Sequence, residues 1–367
     1  MSQSNHLVQI YDVVRTVHLE RVADRPGKTT VLYRSTRYDF DEELASRLRL
    51  AHAGFVGAFS FALRTDIDLI ELNEPLIARA APRALAVVAG NRIRAGFRRQ
   101  RRAQVVTYAI ASLDPWTISD KLPWRARAKW RAQSVLIKPV WKRIDKIAFG
   151  TALAEGIYRE RFSAIAQWPQ SRLIPAVPGA LSEARDDAGR RGRLTFLGDL
   201  SARKGFPQVL EAWASVRATV PMATLTILGK GRYTEEARAL ATTDDRVDFI
   251  EDPSRATIFD ALLGSGVLVL PSQPMPLWRE QVGLPIVEGL SAGCVVVTTE
   301  ETGIADWLSA HGHHVIEDAA DAGALARAIE AALIAARPAS TVIADLPPVD
   351  GREAASRWLH NAEEPEQ

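Results

Sequence analysis

The second half of the chain alternates in a way that permits few folds. Short apolar runs at residues 193–197, 223–228, 247–250, 267–270 and 294–298 are separated by stretches at 208–218, 233–242, 258–263, 284–292 and 319–336 that read as helices. In the first of these stretches Val209, Leu210, Trp213 and Val216 fall on one helical face. Strands of four to six residues that are apolar on both faces, each followed by a helix, specify a parallel sheet covered on both sides. That is a doubly wound α/β domain, and its ligands bind beyond the carboxyl ends of the strands. The residues just after each strand are therefore the ones to read for function. The first half shows the same alternation more weakly, with strands expected at 30–33, 69–72, 104–108, 146–149 and 172–175.

A length of 367 residues suits two such lobes. Residues 183–192 are polar, charged and punctuated by glycine, as a linker would be. The charge balance changes sign there. Met1 to Ala188 carries 30 Lys and Arg against 19 Asp and Glu, a net of +11, whereas Gly189 to Gln367 carries 16 against 25, a net of −9. We expect lobes at 1–188 and 189–340, with residues 341–367 returning to the first lobe and the tail from Glu363 frayed. The single cysteine, Cys294, excludes an intramolecular disulfide and reads as a small buried hydrophobe. No run approaches the roughly 20 apolar residues of a spanning helix. Met1 to Gln9 is polar and lacks the apolar core of a signal peptide, so a cytoplasmic location is expected.

Two segments that follow strands carry candidate chemistry. The first is Gly198-Asp199-Leu200-Ser201-Ala202-Arg203-Lys204-Gly205. A strand ends at a glycine, a short loop presents two cations, and a helix begins, which together offer charge and free amides to an anion. The second is Glu280-Gln281-Val282-Gly283-Leu284-Pro285-Ile286-Val287-Glu288. Pro285 suits the first turn of a helix, where its missing N–H costs nothing. Gly283 lets backbone approach a ligand, and the amides of Gly283 and Leu284 would point at an anion there. Glu288 falls one turn into the helix and Glu280 precedes it, so both carboxylates can border one cleft and accept hydrogen bonds from hydroxyl groups.

In combination these segments resemble glycosyltransferase family 4 over about residues 193–335: Gly198-x6-Gly205 with Lys204, a strand ending at Pro271, then Glu280-x7-Glu288 within E-x-x-G-L-P-x-x-E-G-x-x-A-G. The resemblance implies a GT-B fold, two Rossmann-like α/β lobes facing across a cleft. It implies transfer of a hexosyl group from a nucleoside diphosphate sugar with retained anomeric configuration. Lys204 and Arg203 would hold the diphosphate, with Gly198 shaping the loop. Glu288 would hold the ribose, Glu280 would lie beside the transferred sugar, and Gly283 and Leu284 would supply amides. Glu280 and Lys204 are the expected catalytic residues. No metal or other cofactor is implied beyond the nucleotide sugar as co-substrate.

The chain also departs from the family. Asp199 stands where the family carries Arg, and Arg203 is expected to compensate. The first half has no Gly-rich loop after its first strand. Where a His is usual it has Tyr108-Ala109-Ile110. A non-catalytic partner that keeps the GT-B fold is therefore the alternative reading.

The first half is also notably basic. Arg92, Arg94, Arg98, Arg99, Arg101 and Arg102 place six arginines in eleven residues, and Trp124, Trp130 and Trp141 lie among further Lys and Arg. Pro139 should interrupt any helix there. Tryptophan mixed with cations suits an anionic membrane surface. Region 92–143 is thus expected to sit at the inner face of the plasma membrane, with a lipid-linked or cell-surface polysaccharide precursor as acceptor. A membrane-associated scaffold is the corresponding alternative. No RNA- or DNA-binding motif is present, so a nucleic-acid partner is not expected. His311-Gly312-His313-His314 is too tightly spaced for three ligands on one ion and is expected to form an exposed turn, and Trp307, next to a turn at Thr302-Gly303-Ile304, is expected to be a packing residue.

Overall fold

The computed structural model describes residues 6–24, 28–37, 40–165, 168–180 and 188–361. Residues 183–187 of the expected linker and the tail from Glu363 lie outside the described residues. The chain divides into two compact units. One comprises Met1–Gly150, Glu155–Ile174 and Ala355–Gln367, the other Thr151–Ala154 and Pro175–Ala354.

The first unit is a seven-stranded parallel sheet. Its strands are β1 (His6–Val14), β2 (Lys28–Thr36), β3 (Leu50–His52), β4 (Leu69–Asn73), β5 (Gln104–Ala109), β6 (Lys146–Phe149) and β7 (Gln170–Leu173), in the order β3-β2-β1-β4-β5-β6-β7. The central strand β1 was not expected, because polar residues interrupt its apolar pattern. Each of them is buried and has a polar partner, although Gln9 Oε1 and Asp12 Oδ1 accept no hydrogen bond among the described residues. The His6 ring bonds Asp66 O at 2.8 Å and Thr30 Oγ1 at 2.9 Å. Gln9 Nε2 donates to Glu71 at 2.9 Å, and Asp12 pairs with Arg79 at 2.6 Å. Partnered polar groups of this kind offset much of the cost of burial that the bare sequence suggests. At the far edge β7 ends at Leu173, before the expected 172–175, and Pro175 has no N–H to extend the ladder.

The last helix, Gly351–Leu359, runs from the second unit into the first. Beyond it the His360 ring meets Glu71 at 3.0 Å, and Lys146 Nζ donates to Trp358 O at 3.2 Å. The return to the first unit therefore begins at Ala355 and not at 341. Residues just before it are tied to the second unit, since Gly351 N–H donates to Val177 O and Ala180 N–H to Pro347 O, both at 2.9 Å. The same bonds put the division between units at 174/175 and not at 188/189.

The second unit holds β8 (Arg193–Leu197), β9 (Thr224–Leu228), β10 (Val247–Ile250), β11 (Val267–Leu270), β12 (Val295–Thr299) and β13 (His314–Ile316), all parallel, in the order β10-β9-β8-β11-β12-β13. Its helices include Phe206–Thr219, Thr234–Thr243, Arg255–Leu263, Leu284–Ser291 and Ala322–Ala335. Val209, Trp213 and Val216 are buried, as the helical spacing requires. Trp213 Nε1 donates to Asp244 at 3.0 Å, and Arg217 pairs with the same carboxylate. Burial opposes ionisation of Asp244, yet these bonds, with Arg246, hold its pKa below the usual range. Asp321 caps the helix Ala322–Ala335 by accepting from the Ala324 amide, so that helix starts later than expected. Cys294 is fully buried and its thiol is pushed up to about 11, an inert packing residue.

The histidine cluster is not an exposed turn. His313 is 7% exposed, its Nδ1 accepts the Val296 amide at 3.0 Å, and burial drives its pKa down to about 4. His314 opens β13, and His311 stacks on Trp307 with ring centroids 4.1 Å apart. Among the described residues no group of three or more His, Cys, Asp or Glu side chains could hold a metal ion.

Candidate functional site

In the second sheet β8 and β11 are neighbours, and the winding of the chain reverses between them. The loops leaving their carboxyl ends bound the crevice where a doubly wound sheet binds its ligands. Backbone packing there is close enough to exclude side chains. Gly198 ends β8 at φ +148°, and a Cβ on Gly229, which follows β9, would lie 1.9 Å from Gly198 O. One 3-10 turn, Ala202–Lys204, then leads to Gly205 at φ +72° and the helix Phe206–Thr219. A Cβ on Gly205 would lie 1.9 Å from Pro271 O. The loop after β8 is thus pressed onto the end of β11, and the Gln273 amide donates to Arg203 O at 3.0 Å to fix the contact.

The packing brings Lys204 and Glu280 together. Lys204 Nζ donates to Glu280 Oε2, with the two side chains only 10% and 12% exposed. Ser272 Oγ also donates to that carboxylate, at 3.4 Å. Trp278 lies under both cations of the first loop, its ring centroid 4.3 Å from the Arg203 guanidinium and 5.5 Å from Lys204 Nζ. Sequence reasoning missed Trp278, although its place two residues before Glu280 in a strand-following loop was a usable signal. Arg203 does not simply make up for the absent arginine. It pairs with Asp199 at 3.4 Å, so the acidic residue braces the loop and offsets part of its positive charge.

Gly283, at φ +89°, caps the helix Leu284–Ser291, and Pro285 occupies the first turn. The Thr302 hydroxyl donates to Val282 O at 2.8 Å and the Gly303 amide to Gln281 O at 3.0 Å, which hold the approach to the helix. Among the described residues the amides of Gly283 and Leu284 have no protein acceptor. A Cβ on Gly283 would lie 3.5 Å from Glu280 Cγ, so Glu280 borders the helix start directly. Glu288 follows one turn later. It is half-buried with no hydrogen-bond partner among the described residues, and burial raises its pKa against the opposing pull of Arg255. Lys204, Glu280, Gly283 and Leu284 thus share one site, with Glu288 further along the same helix. Cations and free amides suit an oxyanion, and the carboxylates suit hydroxyl groups.

In the first unit, Glu74-Pro75 follows β4, and neither it nor the segment after β5 carries a histidine. Glu74, at φ +46°, accepts the Ile110 amide and lies 3.4 Å from the Tyr158 hydroxyl. The helix Trp124–Ser134 buries none of its residues, and Trp124 is 74% and Phe97 87% exposed. Trp141, in contrast, is core, stacked on Phe162 at 4.2 Å. Pro139 lies in the first turn of the separate short helix Ile137–Trp141, where it breaks no hydrogen bond.

Residues 183–340 match the family described as glycosyl transferases group 1. A GDP-mannose-dependent monoacylated alpha-(1-6)-phosphatidylinositol monomannoside mannosyltransferase from Corynebacterium glutamicum is 26% identical over 149 residues, which span 36% of this chain and 39% of the relative. The match therefore reaches about two fifths of that relative's length. Among solved structures, Anabaena Alr3699/HepE in complex with UDP superposes with a TM-score of 0.64 at 13% identity, covering 97% of this chain and 95% of that one. The lipopolysaccharide outer core galactosyltransferase WaaB gives 0.67 at 10% identity, covering 98% and 100%. At such identities the likeness is one of fold, and it extends over both units. The family match is thus confined to residues 183–340, and the two doubly wound α/β lobes have the GT-B fold of these solved glycosyltransferases.

Proposed function

We propose that the protein is a retaining glycosyltransferase that moves a hexosyl group from a nucleoside diphosphate sugar to an acceptor. The observation that carries this reading is the meeting of Lys204, Glu280 and the open amides of Gly283 and Leu284 at the crevice between β8 and β11. The diphosphate lies on Lys204, Arg203 and the helix amides, which stabilise its charge as the glycosidic bond breaks. Glu288 accepts from the ribose hydroxyls and Glu280 faces the transferred sugar. Neutralisation of the leaving group falls to side-chain and backbone donors, so the reading assigns no step to a metal ion.

The acceptor side of the proposal rests on the first unit. Exposed Trp124 and Phe97, with Arg98, Arg99, Arg101 and Arg125 also exposed, suit an anionic bilayer surface and hence a lipid-linked acceptor. No described helix is long and apolar enough to cross a membrane. The similar Corynebacterium protein acts, by its name, on a phosphatidylinositol glycolipid, which supports the same class of acceptor. A thermal-shift screen against UDP-, GDP-, ADP- and TDP-sugars tests the donor half. A true donor at 100 times its Kd stabilises by about 2.7 kcal/mol, and no shift with any of them would remove the proposal.

A further inference from the structure

A shallow, open recess lies at the amino ends of β8 and β11, the opposite end of the sheet from the donor crevice. Three of its nine lining residues are Arg190, Arg191 and Arg337. Arg190 is 4% exposed, yet among the described residues its guanidinium meets only neutral groups. Its Nε and Nη2 donate to Ser265 O at 2.9 and 2.6 Å, and Nη2 lies 3.7 Å from Cys294 Sγ. A buried cation without a counter-ion is costly unless something negative completes the site. Arg191 is exposed and makes no hydrogen bond or ion pair among the described residues. Arg337 donates to His311 O at 2.5 Å and pairs with Asp345.

Charge counting favours a particular ligand. Among the described residues, against three guanidinium groups stand Asp345 and the carbonyl ends of the helices Arg255–Leu263, which Ser265 follows, and Ala322–Ala335, each end worth about half an elementary charge. About one positive charge remains, in a half of the sequence that is otherwise acidic. A phosphate monoester carries about −1.5 to −2 near neutral pH and offers three acceptor oxygens to forked donors. Gly192 and Gly266 line the same recess, and a Cβ on Gly266 would lie 2.9 Å from Arg190 O.

We propose that Arg190, Arg191 and Arg337 form a second anion site, separate from the donor crevice, that takes the phosphate group of a small ligand. The site stands independently of the transferase reading. The test is calorimetric titration of inorganic phosphate into a Lys204→Ala protein, whose donor crevice is weakened, with and without Arg191→Gln. Arg191 makes no bond in the fold, so its replacement should leave the melting temperature without phosphate unchanged. The expected result is phosphate binding that Arg191→Gln weakens about tenfold, the loss of one charge-assisted contact. Equal affinity with and without Arg191→Gln overturns the site. A parallel titration with citrate must bind more weakly than phosphate, and equal or tighter citrate binding overturns the assignment to phosphate.

Discussion

Replacing Lys204 by methionine keeps most of the side-chain volume and removes the charge, and it separates two roles that the ion pair with Glu280 combines. Both side chains are about nine-tenths buried, at 10% and 12% exposure. Taking one partner from a buried pair costs about 3–5 kcal/mol. Ser272 still donates to Glu280 at 3.4 Å, so the lower end, about 3 kcal/mol, is expected. Loss of one donor to the charge that develops on the leaving diphosphate costs about a hundred- to a thousandfold in turnover. The informative variant is the double one, Lys204→Met with Glu280→Gln. It no longer buries an orphan carboxylate, so most of the lost stability should return. Turnover should not return, because the proposed phosphate contact is still missing and Glu280, placed beside the transferred sugar, is changed as well. Urea unfolding gives the first quantity and release of nucleoside diphosphate the second. If activity recovered in step with stability, or if Lys204→Met turned over normally, Lys204 would be a structural cation and the reasoning would fail.

The neighbouring groups give four further expectations. Asp199→Asn releases Arg203 from a half-exposed pair worth about 1 kcal/mol or less, so donor affinity should rise by up to about fivefold, most at low salt, as isothermal titration would show. Trp278→Ala should raise the donor KM through loss of a ring shared by two cations, about 1–2 kcal/mol, while Trp278→Phe keeps most of it. Burial raises the Glu288 pKa, so the carboxylate proposed to accept from ribose is lost at a higher pH than an exposed Glu would be. Donor affinity should fall on acidification from above the ordinary value of 4.5, and Glu288→Gln should flatten that limb of the binding profile. His313 has a folded pKa of about 4 against an ordinary 6.5, so the unfolded chain binds its proton first. Its contribution to stability is complete above 6.5 and is lost as pH falls towards 4, and His313→Asn should reduce that acid loss in thermal unfolding.

The second sheet was legible because its strands are apolar on both faces and its helices keep their periodicity, with Val209, Trp213 and Val216 as the plain case. The site was legible for a related reason. Strand ends, Gly283 and Pro285 mark where backbone can approach a ligand, with Glu280 just before them and Glu288 one helical turn after. What failed was polar burial. The central strand β1 was hidden because Gln9 and Asp12 look solvent-facing until Glu71 and Arg79, far along the chain, are seen to satisfy them. His313 was misread for the same reason, since its acceptor role towards Val296 depends on the pairing of β12 with β13. The offset of Arg203 by Asp199 depends on a loop conformation that only Gly198 and Gly205 permit. Long-range partners of polar residues leave no periodic trace in a sequence.

The central claim concerns where the diphosphate sits. Crystals soaked with the nucleoside diphosphate that scores best in the thermal screen would locate it. The account predicts phosphate oxygens within hydrogen-bond distance of Lys204 Nζ and of the Gly283 and Leu284 amides, with the ribose against Glu288. A nucleotide bound elsewhere, with Lys204 still paired to Glu280 and the amides untouched, would contradict it.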